Sequence, residues 1–188
     1  MKHVSKLWIL TGLSALLAAT ASLRAQDAAA ADGLKPIRDL EGTWEGRIDG
    51  ILGQGTGIRS YEPILDGHFV VERHSSIRLP QEKSPQGDRH REIGIYSWDA
   101  EREAIVLRSF FVEGFVARSL CEPAGTKLVC TSEAIEGGSG MKSRLTLEWV
   151  DPFRFVEIFE LASPGQELST YFRNEWTRVP ELDDVTSR

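Results

Sequence analysis

A chain of 188 residues with 41% apolar, 9% aromatic and 27% charged side chains has the make-up of one globular domain with room for a tail. The apolar share excludes a disordered chain, and 17 glycines without a period exclude a collagen-like repeat. A mean hydropathy of -0.24 excludes a polytopic helical membrane protein, and a net charge of -6 argues against a nucleic-acid binder, which needs a basic face.

The first segment reads as an address. Lys2 and Lys6 precede an apolar run over 7–19, and small residues then lead to Ala25 and Gln26. A basic start, a short apolar run and a small-residue exit predict a bacterial-type secretory signal peptide over 1–25, hence a periplasmic or secreted product. The run is shorter than the roughly 20 residues of a membrane anchor, so no stable span is expected after cleavage. Residues 26–35 are predicted to be a flexible leader, 36–180 one domain, and 181–188 an acidic tail.

From Leu34 to Leu40 the apolar residues recur every three positions, which suits a short helical turn. At Trp44 the period becomes two. Trp44, Gly46, Ile48 and Gly50 alternate with Glu45, Arg47 and Asp49, predicting a strand with one buried face. Further strands are predicted over 58–63, 69–77, 93–98, 104–112, 115–122, 127–135, 141–149, 155–161 and 168–179, with turn residues between them. The glycines at 53, 55 and 57 read as a hairpin loop, and 80–88 as a polar loop. Ten short antiparallel strands without an intervening helix predict an all-β domain: a sandwich or, as preferred here because closure removes exposed edges, an up-and-down barrel.

Gly42-Thr43-Trp44 after a helical turn, together with Trp176-Thr177-Arg178 at the far end, resembles the calycin superfamily of lipocalins and fatty-acid-binding proteins. The resemblance implies that Arg178 lies over Trp44 and closes the barrel, a cation–π contact on an indole plug. The string Glu41 to Gly46, the ten strands and Leu65-Asp66-Gly67 are similar to the nitrobindin-like haem-binding barrels and related bacterial domains of unknown function. Those barrels hold haem through a His near the C-terminal end. Residues 91–188 of this chain contain no His, so no haem or other cofactor is expected.

The remaining histidines do not assemble a metal site in this reading. His68 and His74 lie about 20 Å apart along one strand, and a hairpin centred on the 80–88 loop sets His90 opposite Arg78, away from His74. Glu72 and His74 share a face and form an acid/base pair if they point inward. The apolar Phe69, Val71 and Ile77 hold the opposite parity, which puts Glu72 and His74 on the solvated outer face instead. No nucleophile elbow, phosphate-binding loop or dinucleotide fingerprint is present. Cys121 and Cys130 flank the Gly125-Thr126 turn symmetrically. They therefore face each other across a hairpin, and in an exported chain they are expected to form a disulfide.

Ile48, Phe111, Leu145 and Leu147 are expected to point inward, as are Trp149, Phe155, Phe159 and Phe172. They either fill the barrel or line a cavity, and Gly46, Gly50, Ser109, Ala117, Ser119 and Ser143 on the same faces leave space. Barrels of eight or more strands can hold one small ligand. The chain is therefore read as an exported, non-catalytic barrel whose partner is a small hydrophobic or amphipathic molecule. The alternatives are an envelope interaction module with a filled core, a cofactor-free enzyme and a haem-binding barrel.

Overall fold

A computed structural model describes residues 33–180. The signal peptide over 1–25, most of the leader and the acidic tail lie outside the described residues. A four-residue helix, α1 (Lys35–Arg38), precedes ten strands: β1 (Gly42–Gly50), β2 (Gly53–Ile64), β3 (Phe69–Arg78), β4 (Asp88–Asp99) and β5 (Ala104–Phe111), then β6 (Val116–Ala124), β7 (Lys127–Glu136), β8 (Lys142–Asp151), β9 (Arg154–Ala162) and β10 (Ser169–Arg178). Each strand pairs antiparallel with its neighbours in sequence, and β1 pairs with β10, so the sheet is a closed up-and-down barrel. Closure leaves no free edge to recruit another chain.

Strand extents differ from the sequence expectation where hairpins are tight. Gly53 to Gly57 belong to β2 and pair with Gly50 to Gly46, so the turn is only Ile51-Leu52. Glycine is needed there for close approach. A Cβ on Gly55 would meet the Ile77 carbonyl oxygen at 2.3 Å, and one on Gly46 would meet the Trp176 ring at 2.4 Å. β4 begins at Asp88, five residues before the predicted start, so residues 88–92 at the flank of the expected 80–88 loop are ladder, while 80–87 lie between the strands as expected. At the β6–β7 turn Gly125 has φ +65° while Thr126 stays out of the left-handed region, the pattern of a type II′ hairpin. Cys121 and Cys130 are cross-strand partners with Cα atoms 3.9 Å apart, joined by a disulfide.

One end of the barrel is plugged. Leu34, Ile37 and Leu40 are fully buried. Each contributes about 1.5–3 kcal/mol of apolar burial. They pack into a cluster with Trp44, Tyr61, Tyr96, Leu128, Leu147, Phe155 and the disulfide. The Trp44 indole donates to the Leu40 carbonyl at 2.7 Å and meets Phe155 edge-on at 4.8 Å. Above it lies the Arg178 guanidinium, 4.3 Å from the ring centroid. Arg178 also donates to the carbonyls of Asp39 at 2.7 Å, Pro152 at 3.4 Å and Glu41, so one side chain ties the end of α1 to the β8–β9 turn.

The disulfide closes a short loop, which bounds its effect on the unfolded chain. Replacing Cys121 and Cys130 by Ala is expected to lower the unfolding free energy by about 2 kcal/mol, read as a lower urea midpoint with an unchanged far-ultraviolet spectrum. An unchanged midpoint contradicts this.

Candidate functional site

Cross-strand register carries one face around the barrel. Trp44 pairs with Arg59, Arg59 with His74, His74 with Glu92, and Glu92 with Phe111. Directly paired residues point to the same side of a sheet. Since Trp44 faces inward, so does the whole row, and Glu72, His74, Ser76 and Arg78 are all buried on β3. This corrects the outer-face expectation for Glu72 and His74. On these strands the outer face carries apolar side chains instead: Ile58 is 57% and Ile93 47% exposed.

The centre of the row is a buried ion network. Arg59 lies 3.3 Å from Glu72 and 2.7 Å from Glu157, and its guanidinium sits 4.7 Å from the Trp176 ring centroid. Tyr96 donates to Glu72 at 3.0 Å, while Asn174 and the Trp176 indole donate to Glu157 at 2.9 and 3.0 Å. Tyr61, beside Arg59, and Tyr96 complete the layer. The two carboxylates are not equivalent. Burial pushes Glu72 up to about 7, against the pull of Arg59. Burial also opposes ionisation of Glu157, but the Arg59 charge and the Asn174 and Trp176 hydrogen bonds outweigh it and hold its carboxyl below the usual range.

On the far side of this layer from α1 the barrel opens into a cavity of about 260 Å³. One wall is apolar, with Ile48, Leu145, Phe159 and Phe172, and Phe111 lines the cavity beside Glu92. The other is polar, with His74, Ser76, His90 and Glu92. Ser109, Ala117, Ser119 and Ser143 also line it, and their small side chains leave the volume that larger ones would fill. Burial and the neighbouring Arg59 charge push His74 down to about 3, so its imidazole is neutral. Burial raises Glu92 above the usual carboxylate range, against Arg59 and a Ser109 hydrogen bond.

Of the eight predicted lining residues, Ile48, Phe111, Leu145, Phe159 and Phe172 line this cavity. Leu147 and Phe155 sit in the plugged half, and Trp149 packs against that core. His90 pairs with Ser76, not with Arg78 as the sequence suggested, because the β3–β4 hairpin is centred one residue earlier than the middle of the 80–88 loop. That register brings the His74 and His90 rings to 5.6 Å and, with Glu92, gathers three groups able to ligate a metal, where no triad was expected. His68 lies apart, at the β2–β3 turn. Sequence reasoning missed Arg59, Glu157, Tyr61, Tyr96, Glu92 and Asn174. A two-residue β1–β2 turn would have carried the inward parity of Trp44 to Arg59 and onward, but the assumed loop at 53–57 broke that chain.

No family model and no curated protein matches the chain. Among solved structures, the crystal structure of Rv2717c from M. tuberculosis is similar, with 14% identity over 79% of this chain and 98% of that one and a TM-score of 0.55. At that identity the likeness concerns the fold alone. A redesigned β-barrel covers 77% of this chain and 96% of its own with 10% identity and a TM-score of 0.42. EF1p2_mFAP2b bound to DFHBI covers 78% and 99%, with 10% identity and a TM-score of 0.41.

Arg59 compensates two buried carboxylates, so removing it alone strands them. Arg59→Met is expected to lose about 3–5 kcal/mol of stability in urea unfolding, and adding Glu72→Gln and Glu157→Gln to recover most of it. A loss under about 1 kcal/mol for Arg59→Met contradicts the network's role.

Proposed function

We propose that this protein is an exported, calycin-type barrel that takes a small amphipathic molecule into its open half and performs no chemistry on it. The observation that carries the reading is the two-sided cavity: an apolar wall of Leu145, Phe159 and Phe172 on β8, β9 and β10 lies across the barrel from a polar wall of His74, Ser76, His90 and Glu92 on β3 and β4. A mostly apolar pocket with a few placed polar groups is the general form of a small-molecule site. At about 260 Å³ it suits a ligand below drug size, with a ring or short chain at one end and a hydrogen-bonding group at the other.

Three further points support the reading. The Cys121–Cys130 disulfide fits an oxidising compartment and hence export. The Gly42-Thr43-Trp44 opening and the Arg178 lid support placing the chain near lipocalins and, more finely, near nitrobindin-like barrels. Glu72 and His74 do not form an acid/base pair, because the carboxylate of Glu72 is taken by Arg59 and Tyr96. The plugged half excludes a ligand from the α1 end, which confines the site to the other.

Filling the cavity tests this directly. The wild-type chain is expected to bind one equivalent of a fluorescent amphipathic probe such as anilinonaphthalene sulfonate. Ser119→Trp is expected to keep the circular dichroism of a β-barrel and to weaken binding at least about tenfold, the loss of roughly 1.4 kcal/mol. Equal binding by both proteins puts the probe elsewhere and contradicts the proposal.

A further inference from the structure

The polar wall of the cavity holds a second possibility that does not depend on any organic ligand. His74 from β3 and His90 and Glu92 from β4 each place one donor atom within 4.8 Å of the other two. β3–β4 register explains why. His74 pairs with Glu92, and His90, two residues back on the same face, pairs with Ser76 and so stands diagonally from His74.

His74 is the telling residue. Its side chain is 96% buried, since only 4% of its surface remains exposed, and neither ring nitrogen has a hydrogen-bond partner. Leaving a buried polar atom unpartnered costs about 1–3 kcal/mol. Glu92 Oε2 stands 3.9 Å from His74 Nδ1, beyond hydrogen-bond reach. An ion between them would satisfy both. Donors about 2.0–2.2 Å from a tetrahedral zinc ion lie about 3.3–3.5 Å from one another, so the three groups need to close by at most about 1.5 Å.

The surroundings are those of a ligand set. Glu113 Oε1 accepts from His90 Nδ1 at 3.0 Å, which fixes the tautomer with its lone pair on Nε2. A carboxylate on the distal nitrogen of a metal-binding imidazole is the usual outer support of such sites. Glu72 and Glu157 are ion-paired with Arg59, and Arg78 on the cavity wall is paired with Asp88, which leaves Glu92 without an arginine or lysine ion pair among the described residues.

We propose that His74, His90 and Glu92 form a site for a divalent first-row cation of the zinc type, with its remaining coordination position directed to the cavity. Two imidazoles and one carboxylate are a donor set that zinc accepts, and an open fourth position is what distinguishes a reactive or ligand-binding zinc from a structural one. An anionic or nitrogen-bearing head group would then meet the metal while its apolar part meets Phe159 and Phe172.

The test uses the untagged full chain, stripped by chelation, and zinc sulfate alone. Calorimetric titration is expected to show one equivalent bound, and cobalt substitution a visible absorption band of tetrahedral intensity. His90→Ala and Glu92→Gln are expected to weaken zinc binding by at least about tenfold, Glu113→Gln by about tenfold, and His68→Ala not at all. Because core variants can fail to fold, imidazole nitrogen resonances of the wild-type chain give an independent readout: zinc shifts those of His74 and His90. Absence of saturable binding, binding that survives both His90→Ala and Glu92→Gln in folded protein, or unshifted His74 and His90 resonances would each overturn the proposal.

Discussion

The Arg59 guanidinium is the constraint around which this barrel is arranged. A charge that deep is tolerated only when opposite charges are paired with it. Glu72 and Glu157 supply the charge, Trp176 supplies a face, and Tyr61 stands at its edge. Those partners come from β2, β3, β9 and β10. They can converge only if the sheet closes, because β2 and β9 are brought to one interior by the β1–β10 ladder. The ion network and the closure therefore depend on one another.

The network also divides the interior. On the α1 side the space is filled by Trp44, Phe155, Leu147 and the side chains of Leu34, Ile37 and Leu40 in and around the helix, with Arg178 sealing the end. On the other side four small residues and a polar wall leave a cavity. The question of a filled or hollow barrel thus has a spatial answer: half of each. It follows that stability and binding are separately tunable. Changes near Trp44 act on folding, and changes near Ser119 or His90 act on what the open half can hold.

Much of this was legible in the sequence, and the parts that were not share a cause. The two-residue period from Trp44, the turn residues and the symmetric cysteines define ten antiparallel strands and the disulfide. Gly-x-Trp with a terminal Arg points to the closing stack. The interior charges were hidden because β2, β3 and β4 invert the ordinary pattern: Ile58 and Ile93 face out while Arg59, Glu72 and His74 face in. Parity read from apolar residues alone then assigns the wrong face. Hairpin length was the second obstacle. Reading Gly53 to Gly57 as loop cut the ladder that links Trp44 to Arg59. Setting the β3–β4 centre slightly late moved His90 away from His74, since each residue of error at a turn moves a cross-strand partner by two.

Arg59 is ion-paired with a buried, dehydrated Glu157. Carbon-13 detected titration of the Glu157 carboxyl group in the metal-free protein tests it most directly. A value below that of an ordinary glutamate is what the pairing with Arg59 and the Asn174 and Trp176 hydrogen bonds require. A value at or above the ordinary one would mean that water or a proton, and not Arg59, keeps that carboxylate in the core, and the division of the barrel described above would not hold.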